Sequence, residues 1–185
     1  TCTMATNSQA NQQGDVLTLD DLDVIVDSDG HLMERVDDYI SYMDEEFAGV
    51  RKLIENSSHP QSEVFSHTRT TPGTYSYQDG QRIGLDDRDT FTGSEGNSRD
   101  VKLTEMHEFD IDYSVITPTL TNGLATVNND DMAIGLAQAY NDWVLDEILD
   151  QHEGLYTSIV IAPQDPQRAA EEIDRLADED GVVGV

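Results

Sequence analysis

The sequence has little cysteine, few basic residues and no long apolar run, and each shortage excludes a class of protein. Cys2 is the one cysteine in 185 residues, so an internal disulfide is impossible. Ten basic residues oppose 38 acidic ones, and the resulting net charge of -28 repels nucleic acid. No apolar run reaches the roughly 18 residues of a membrane-spanning helix. The first residues lack the charged and apolar regions of a signal peptide, so we expect a cytoplasmic protein.

The acidic residues are spread along the whole chain. Aspartate often occurs in pairs, as in Asp130-Asp131, and Lys52 and Lys102 are the only lysines. An acidic interaction tail would instead concentrate the charge at one end. We therefore hypothesise that the protein is adapted to high salt, where dissolved ions screen the repulsion between its carboxylates.

Two stretches of the chain show no sustained hydrophobic period. Residues 1–16 are polar and rich in Gln, Asn and Ser, which predicts a disordered tail. This tail leaves open whether translation begins at Met4 or upstream of Thr1. Residues 17–185 predict one domain, but residues 56–100 within it are rich in Ser, Thr, Gly and Asp. That segment is either a lid-like insertion or disordered.

The rest of the domain alternates predicted strands with predicted helices. Apolar runs rich in Val and Ile predict strands at residues 22–27, 113–117, 156–162 and 182–185. Apolar residues spaced three and four apart predict helices over residues 35–55 and 103–109. Two more helices are predicted after a cap at Asn128 or Asn129, and after Asp165 with Pro166 in the first turn. This alternation predicts a parallel sheet and an α/β fold.

The last predicted strand runs to Val185, and no helix follows it. We interpret the chain as about the first four of the eight β/α units of a TIM barrel, because a complete barrel needs about 250 residues. The alternative is a small open α/β domain whose edge strand ends the chain. An incomplete barrel would leave sheet edges open, which favours association, so a homodimer is one expectation.

The stretch "VIVDSDGHL", residues 24–32, is typical of three different chemistries. The first is a calcium loop, which requires glycine at its sixth position and a bidentate acid at its twelfth. Counted from Asp27, those positions hold Leu32 and Asp38, so the spacing excludes this interpretation.

The second chemistry is phosphoryl transfer, since Asp27-x-Asp29-Gly30 resembles the nucleophile loop of haloacid-dehalogenase-type phosphatases. In such an enzyme Asp27 would attack phosphorus and Asp29 would act as general acid and base. That family also needs a lysine to hold the phosphoryl group. Lys52 falls in a predicted helix and Lys102 at the start of the next one, so neither lies at a strand end. The phosphatase interpretation therefore remains an alternative.

The third chemistry is metal binding by Asp29 and His31. Side chains two residues apart in a strand point to the same face, so both can project into the mouth of a barrel. Carboxylate and imidazole groups bind zinc at about 2.0–2.2 Å. Catalysis in such barrels occurs at the carboxyl ends of the strands. Thr117 and Thr119, at and just after the end of the second predicted strand, are candidates for lining the substrate site.

Four motifs of the second half favour the barrel: "DIDYSVITPTL", "AQAYNDWVLDEI", "IAPQDPQRAAEEIDRL" and "DGVVGV". In this order they closely resemble the amidohydrolase-related family, which includes aminocarboxymuconate-semialdehyde decarboxylase-like proteins. The resemblance covers about residues 22–55 and 101–185. Glu34 follows His31 at a spacing often seen in this family, D-x-H-x-x-E. Asp110 stands where the family usually has glycine.

This resemblance implies a metal-dependent hydrolase or non-oxidative decarboxylase on a TIM barrel. Asp29 and His31 would be the first two ligands of one divalent ion. Zinc is the expected ion, with manganese or another ion as alternatives. The remaining ligands and the catalytic residues would lie beyond Val185, so residues 1–185 alone are expected to be inactive. The substrate would be a small carboxylic acid, amide or ester. The non-enzymatic alternative is an acidic binding domain with an incidental D-x-H motif.

Overall fold

Four parallel strands form the main sheet of the protein in the computed structural model. The structure describes residues 22–32, 34–57, 64, 77–78, 81–82, 99–149 and 154–185. In chain order the strands are β1 (Val26–Leu32), β2 (Tyr77–Gln78), β3 (Gln81–Arg82), β4 (Tyr113–Pro118), β5 (Leu155–Ser158) and β6 (Val182–Gly184). The main sheet has the order β1-β4-β5-β6, and β2 and β3 form a separate antiparallel pair.

Along the chain, helices lie between consecutive strands of the main sheet. They are α1 (Val36–Tyr39), α2 (Ala48–Glu55), α3 (Arg99–Glu108), α4 (Asp130–Trp143) and α5 (Pro166–Leu176). Short 3-10 turns cover Ile40–Tyr42, Glu45–Phe47 and Thr121–Thr126, and a π-helical turn, Val144–Ile148, continues α4. Parallel strands joined through helices confirm the predicted α/β class.

The helices cover one face of the main sheet. Leu32, Ile116 and Leu155 point to that face and belong to the buried core, whereas Val115 and Thr117 on the opposite face are only partly buried. Each strand of the main sheet also lies beside the preceding one, with no reversal of direction across the sheet. A doubly wound sheet reverses its strand order and carries helices on both faces. One-sided winding is instead the arrangement of a β/α barrel.

Strand β1 begins later than the sequence pattern predicts, at Val26 rather than at residue 22. Its neighbour β4 begins at Tyr113, which pairs with Val26. Among the described residues the ladder extends no further back than the carbonyl oxygen of Ile25, which accepts a hydrogen bond from the Tyr113 amide at 3.2 Å. Leu22 and Val24 are accordingly 47% and 54% exposed. As a consequence the candidate ligands lie within β1 rather than just after it.

The single helix predicted over residues 35–55 is also wrong, because the backbone is extended at Met43 and Asp44. The Asp44 side chain accepts a hydrogen bond from the Glu46 amide and starts a new turn there. The Met43 carbonyl oxygen accepts a hydrogen bond from the Arg51 guanidinium at 3.0 Å, which satisfies a group that a continuous helix would use.

Strand β5 ends at Ser158, four residues earlier than predicted. The buried side chain of Asn141, on α4, explains the early end. Its amide nitrogen donates to the Val160 carbonyl at 2.9 Å and its oxygen accepts from the Val160 amide at 2.8 Å. The same amide nitrogen also donates to the Glu172 carboxylate at 2.7 Å. Side-chain hydrogen bonds thus replace strand pairing at Val160.

The observed helix starts agree better with those predicted from the sequence. Asn129 accepts a hydrogen bond from the Met132 amide and caps α4, which selects it over Asn128. Asp165 accepts from the amides of Gln167 and Arg168, with Pro166 in the first turn of α5 as predicted.

The predicted tail at residues 1–16 and nearly all of the segment 56–100 lie outside the described residues. Within the part that is described, no helix is long and apolar enough to cross a membrane.

Asp110 adopts a left-handed backbone conformation, with φ of 53°, just after α3. The Ile111 amide donates to the Met106 carbonyl at 2.8 Å, a bond that closes a helix end and usually requires glycine at the position of Asp110. We expect Asp110→Gly to raise the free energy of unfolding by about 0.5 kcal/mol, because glycine has no Cβ to strain this conformation. Asp110→Ala should bring no such gain in denaturant melts, and a loss with Asp110→Gly would contradict the assignment.

Candidate metal centre

Asp29 and His31 converge at the carboxyl end of β1. The Asp29 carboxylate oxygen and the His31 Nε2 atom lie 3.4 Å apart, and the two side chains are 80% and 45% exposed. His31 pairs with Thr117 of the neighbouring strand β4, so this end of the sheet also brings the candidate hydroxyl groups close to it. Both candidate ligands are therefore accessible from the carboxyl edge of the sheet.

The distance between these two side chains fits a shared metal ion. Two atoms bound to a tetrahedral ion at about 2.1 Å lie about 3.4 Å from each other. Among the described residues, however, no group of three or more His, Cys, Asp and Glu side chains is placed to hold a metal. Asp29 and His31 thus supply a fitting pair of donors, and a complete centre needs further ligands.

Thr119 contacts the His31 ring. Its hydroxyl oxygen lies 3.0 Å from the Nδ1 atom of His31, within hydrogen-bonding distance. This contact engages one ring nitrogen and leaves Nε2 facing Asp29. Metal-binding histidines commonly use their second nitrogen for such a bond, which fixes the orientation of the ring. The predicted role of Thr119 is to line the substrate site, and in the structure its hydroxyl group lies against His31.

Thr117 lines an open cavity of about 390 Å³ at the carboxyl ends of β4, β5 and β6. Its hydroxyl oxygen is buried and has no hydrogen-bonding partner among the described residues. Among the described residues, the lining also includes Leu124, Ser158, Ile159 and Val185, and it contains no charged side chain. The cavity therefore offers apolar contact and a few hydroxyl groups.

Asp27 holds the local structure beside this site through hydrogen bonds. Its carboxylate accepts hydrogen bonds from the Asp29 amide at 3.0 Å and from the Ser114 hydroxyl at 3.3 Å. The ladder between β1 and β4 is irregular here, since Asp27 to Gly30 opposes Ser114 to Ile116. A Cβ atom on Gly30 would overlap the Ser114 hydroxyl. Asp27 and Gly30 together shape the backbone that presents Asp29 and His31.

The fold and the site define an α/β protein whose candidate ligands lie at the carboxyl edge of a parallel sheet. A family model described as Amidohydrolase matches residues 26–185. The chain therefore belongs to the amidohydrolase family, and this membership favours the barrel over the phosphatase interpretation of Asp27 and Asp29.

A solved structure with a similar fold is amidohydrolase map2389c from Mycobacterium avium subsp. paratuberculosis K-10. It shares 18% identity with the chain at a TM-score of 0.50, and the match covers 84% of this chain and 47% of that one. The chain thus spans about half the length of this relative. No curated protein matches the chain.

Proposed function

We propose that the protein is a metal-dependent hydrolase or non-oxidative decarboxylase of the amidohydrolase-related group, with Asp29 and His31 as two ligands of one divalent ion. The observation that carries this proposal is the approach of the two donor atoms to 3.4 Å at the carboxyl end of β1. Active sites of β/α barrels lie at this end of the strands. A divalent ion held there would acidify a bound water molecule or polarise a carbonyl or carboxylate group.

Zinc is the first candidate for the ion, because imidazole nitrogen and carboxylate oxygen are both common zinc ligands. The carboxylate also suits manganese and other harder ions, which remain the alternatives. Zinc centres that catalyse reactions usually have three protein ligands. We propose that the missing ligands and the catalytic acid or base lie beyond Val185, and that residues 1–185 alone are inactive.

The cavity beside Thr117 supports a small substrate with an apolar part. Leu124 and Ile159 offer apolar contact, while the Thr117 hydroxyl, which is buried without a partner among the described residues, can donate or accept one hydrogen bond. We propose a carboxylic acid, amide or ester whose reactive group faces His31. Nucleic acid and membranes are not proposed partners. A homodimer formed through the open sheet edges remains a proposal.

Metal analysis of the complete gene product tests this proposal. We expect about one zinc or manganese ion per chain after purification without chelators, and His31→Ala should reduce the bound metal at least tenfold. His107→Ala is the matched control, because His107 is exposed on α3 and outside the site. Metal-free protein would support the acidic binding domain instead. Magnesium-dependent hydrolysis of a phosphomonoester that Asp27→Asn abolishes would support the phosphatase.

A further inference from the structure

Glu34 is a fully buried carboxylate that the proposed metal centre does not use. It follows β1 by two residues and is 0% exposed. Burying a carboxylate is costly unless several hydrogen bonds compensate for the lost water. A residue of this kind at the edge of a candidate active site therefore calls for a specific role.

The Glu34 carboxylate accepts hydrogen bonds from three consecutive backbone amides. One oxygen accepts from Leu120 at 2.8 Å and from Thr121 at 2.7 Å, and the other accepts from Thr119 at 3.0 Å. These residues form the turn that follows β4. Hydrogen bonds from amides to a carboxylate are short and strong compared with those between neutral groups. The carboxylate thus fixes the position of this turn relative to the end of β1.

The Glu34 carboxylate is enclosed by protein and shielded from solvent. Tyr39 and Tyr140 are buried next to it, with their rings edge to face at 5.7 Å. Burial raises the pKa of both tyrosines, and the negative charge of Glu34 raises both pKa values further. Tyr39 also hydrogen-bonds the Thr121 hydroxyl at 3.1 Å, so the far end of the turn has a second anchor.

Thr119 connects this turn to the candidate ligand. Its amide donates to Glu34, and its hydroxyl oxygen lies 3.0 Å from the Nδ1 atom of His31. The backbone and the side chain of one residue therefore join the buried carboxylate to the imidazole ring. We propose that Glu34 is a positioning residue, which sets the orientation of His31 through the amide and hydroxyl groups of Thr119. This inference rests on the proposed metal centre.

Glutamine at position 34 distinguishes positioning from simple stabilisation. Its side chain has the same shape, but one carboxylate oxygen becomes an NH2 group that cannot accept a hydrogen bond. The amide oxygen best satisfies two amides by facing Leu120 and Thr121, which leaves the NH2 group against the Thr119 amide. Glu34→Gln should therefore displace Thr119 and, with it, the hydroxyl group on His31.

The experiment compares Mn²⁺ affinity and the ¹⁵N chemical shifts of the His31 ring in the complete gene product, the shifts being recorded without metal. We expect Glu34→Gln and Thr119→Val each to weaken Mn²⁺ binding about tenfold and to move the His31 shifts alike. The double variant should be no worse than either single variant, because both break one connection. Thr119→Ser keeps the hydroxyl group and should behave like the original protein.

Glu172→Gln is the control for lost stability, because Glu172 is a buried carboxylate bound by Asn141 and Arg175 rather than by the turn. It should lower the melting temperature and leave the His31 shifts unchanged. Unchanged shifts in folded Glu34→Gln would overturn the proposal. If that variant does not fold, unchanged shifts in Thr119→Val would overturn it instead. If the original protein binds no Mn²⁺, the metal centre fails, while the metal-free shifts still decide the positioning role.

Discussion

Replacing His31 by alanine is expected to lower the kcat/KM of the complete gene product by roughly 10³-fold, which equals about 4 kcal/mol of transition-state stabilisation. The loss follows because Nε2 of His31 is the nitrogen directed at Asp29, whereas Nδ1 is engaged by Thr119. The measurement uses whichever reaction the original protein performs in a panel of carboxylic acids, amides and esters. Wild-type rates in metal-loaded His31→Ala would contradict the proposed ligand role.

Two neighbouring aspartates provide a matched comparison for the same assay. Asp29 is largely exposed and faces His31, so Asp29→Asn should reduce both bound metal and kcat/KM. Asp27 holds the Asp29 amide and the Ser114 hydroxyl, so Asp27→Asn should mainly lower stability and leave the metal bound. Asp29→Asn with full metal content and a slower reaction would instead show that Asp29 orients His31 without binding the ion.

Features that depend on near neighbours in the chain could be predicted from the sequence. Asn129 and Asp165 cap their helices because a short polar side chain reaches amides two or three residues ahead, whatever the rest of the protein does. The α/β class follows equally from the alternation of apolar periods. A strand places residues two apart on one face, and the 3.4 Å approach of Asp29 and His31 is the geometry that such a spacing allows. Their role as metal ligands stays a prediction.

Features that depend on distant partners could not be predicted in this way. The start of β1 is set by Tyr113, 87 positions from Val26, because a strand extends only where a neighbour offers a ladder. The end of β5 is set by the side chain of Asn141 on another element. Glu34 was visible only as a spacing after His31, since its role depends on amides 85 to 87 residues away. Sequence periodicity carries no information on such contacts.

Raising KCl from about 0.1 M to 2 M is expected to increase the free energy of unfolding by on the order of 5 kcal/mol, and the melting temperature by on the order of 10 °C. The 38 acidic residues repel one another more strongly in the folded chain than in the expanded one. Salt shortens the range of this repulsion from about 10 Å to a few ångströms. Thermal and urea melts of the complete gene product measure the effect.

Salt also weakens ion pairs, so the sign of the effect depends on which interaction is larger. Arg51 and Glu45 at 2.8 Å, and Arg175 and Asp142 at 2.7 Å, are pairs at the protein surface, and pairs of this kind are worth at most about 1 kcal/mol each. Only ten basic residues can form such pairs, so for most carboxylates the main effect of salt is to screen repulsion. Neutralising the exposed acids Glu108, Asp174 and Glu179 as Gln, Asn and Gln should stabilise the protein at low salt and reduce its dependence on KCl. Equal dependence in that variant would attribute the gain to salting-out of apolar surface instead of screened charge.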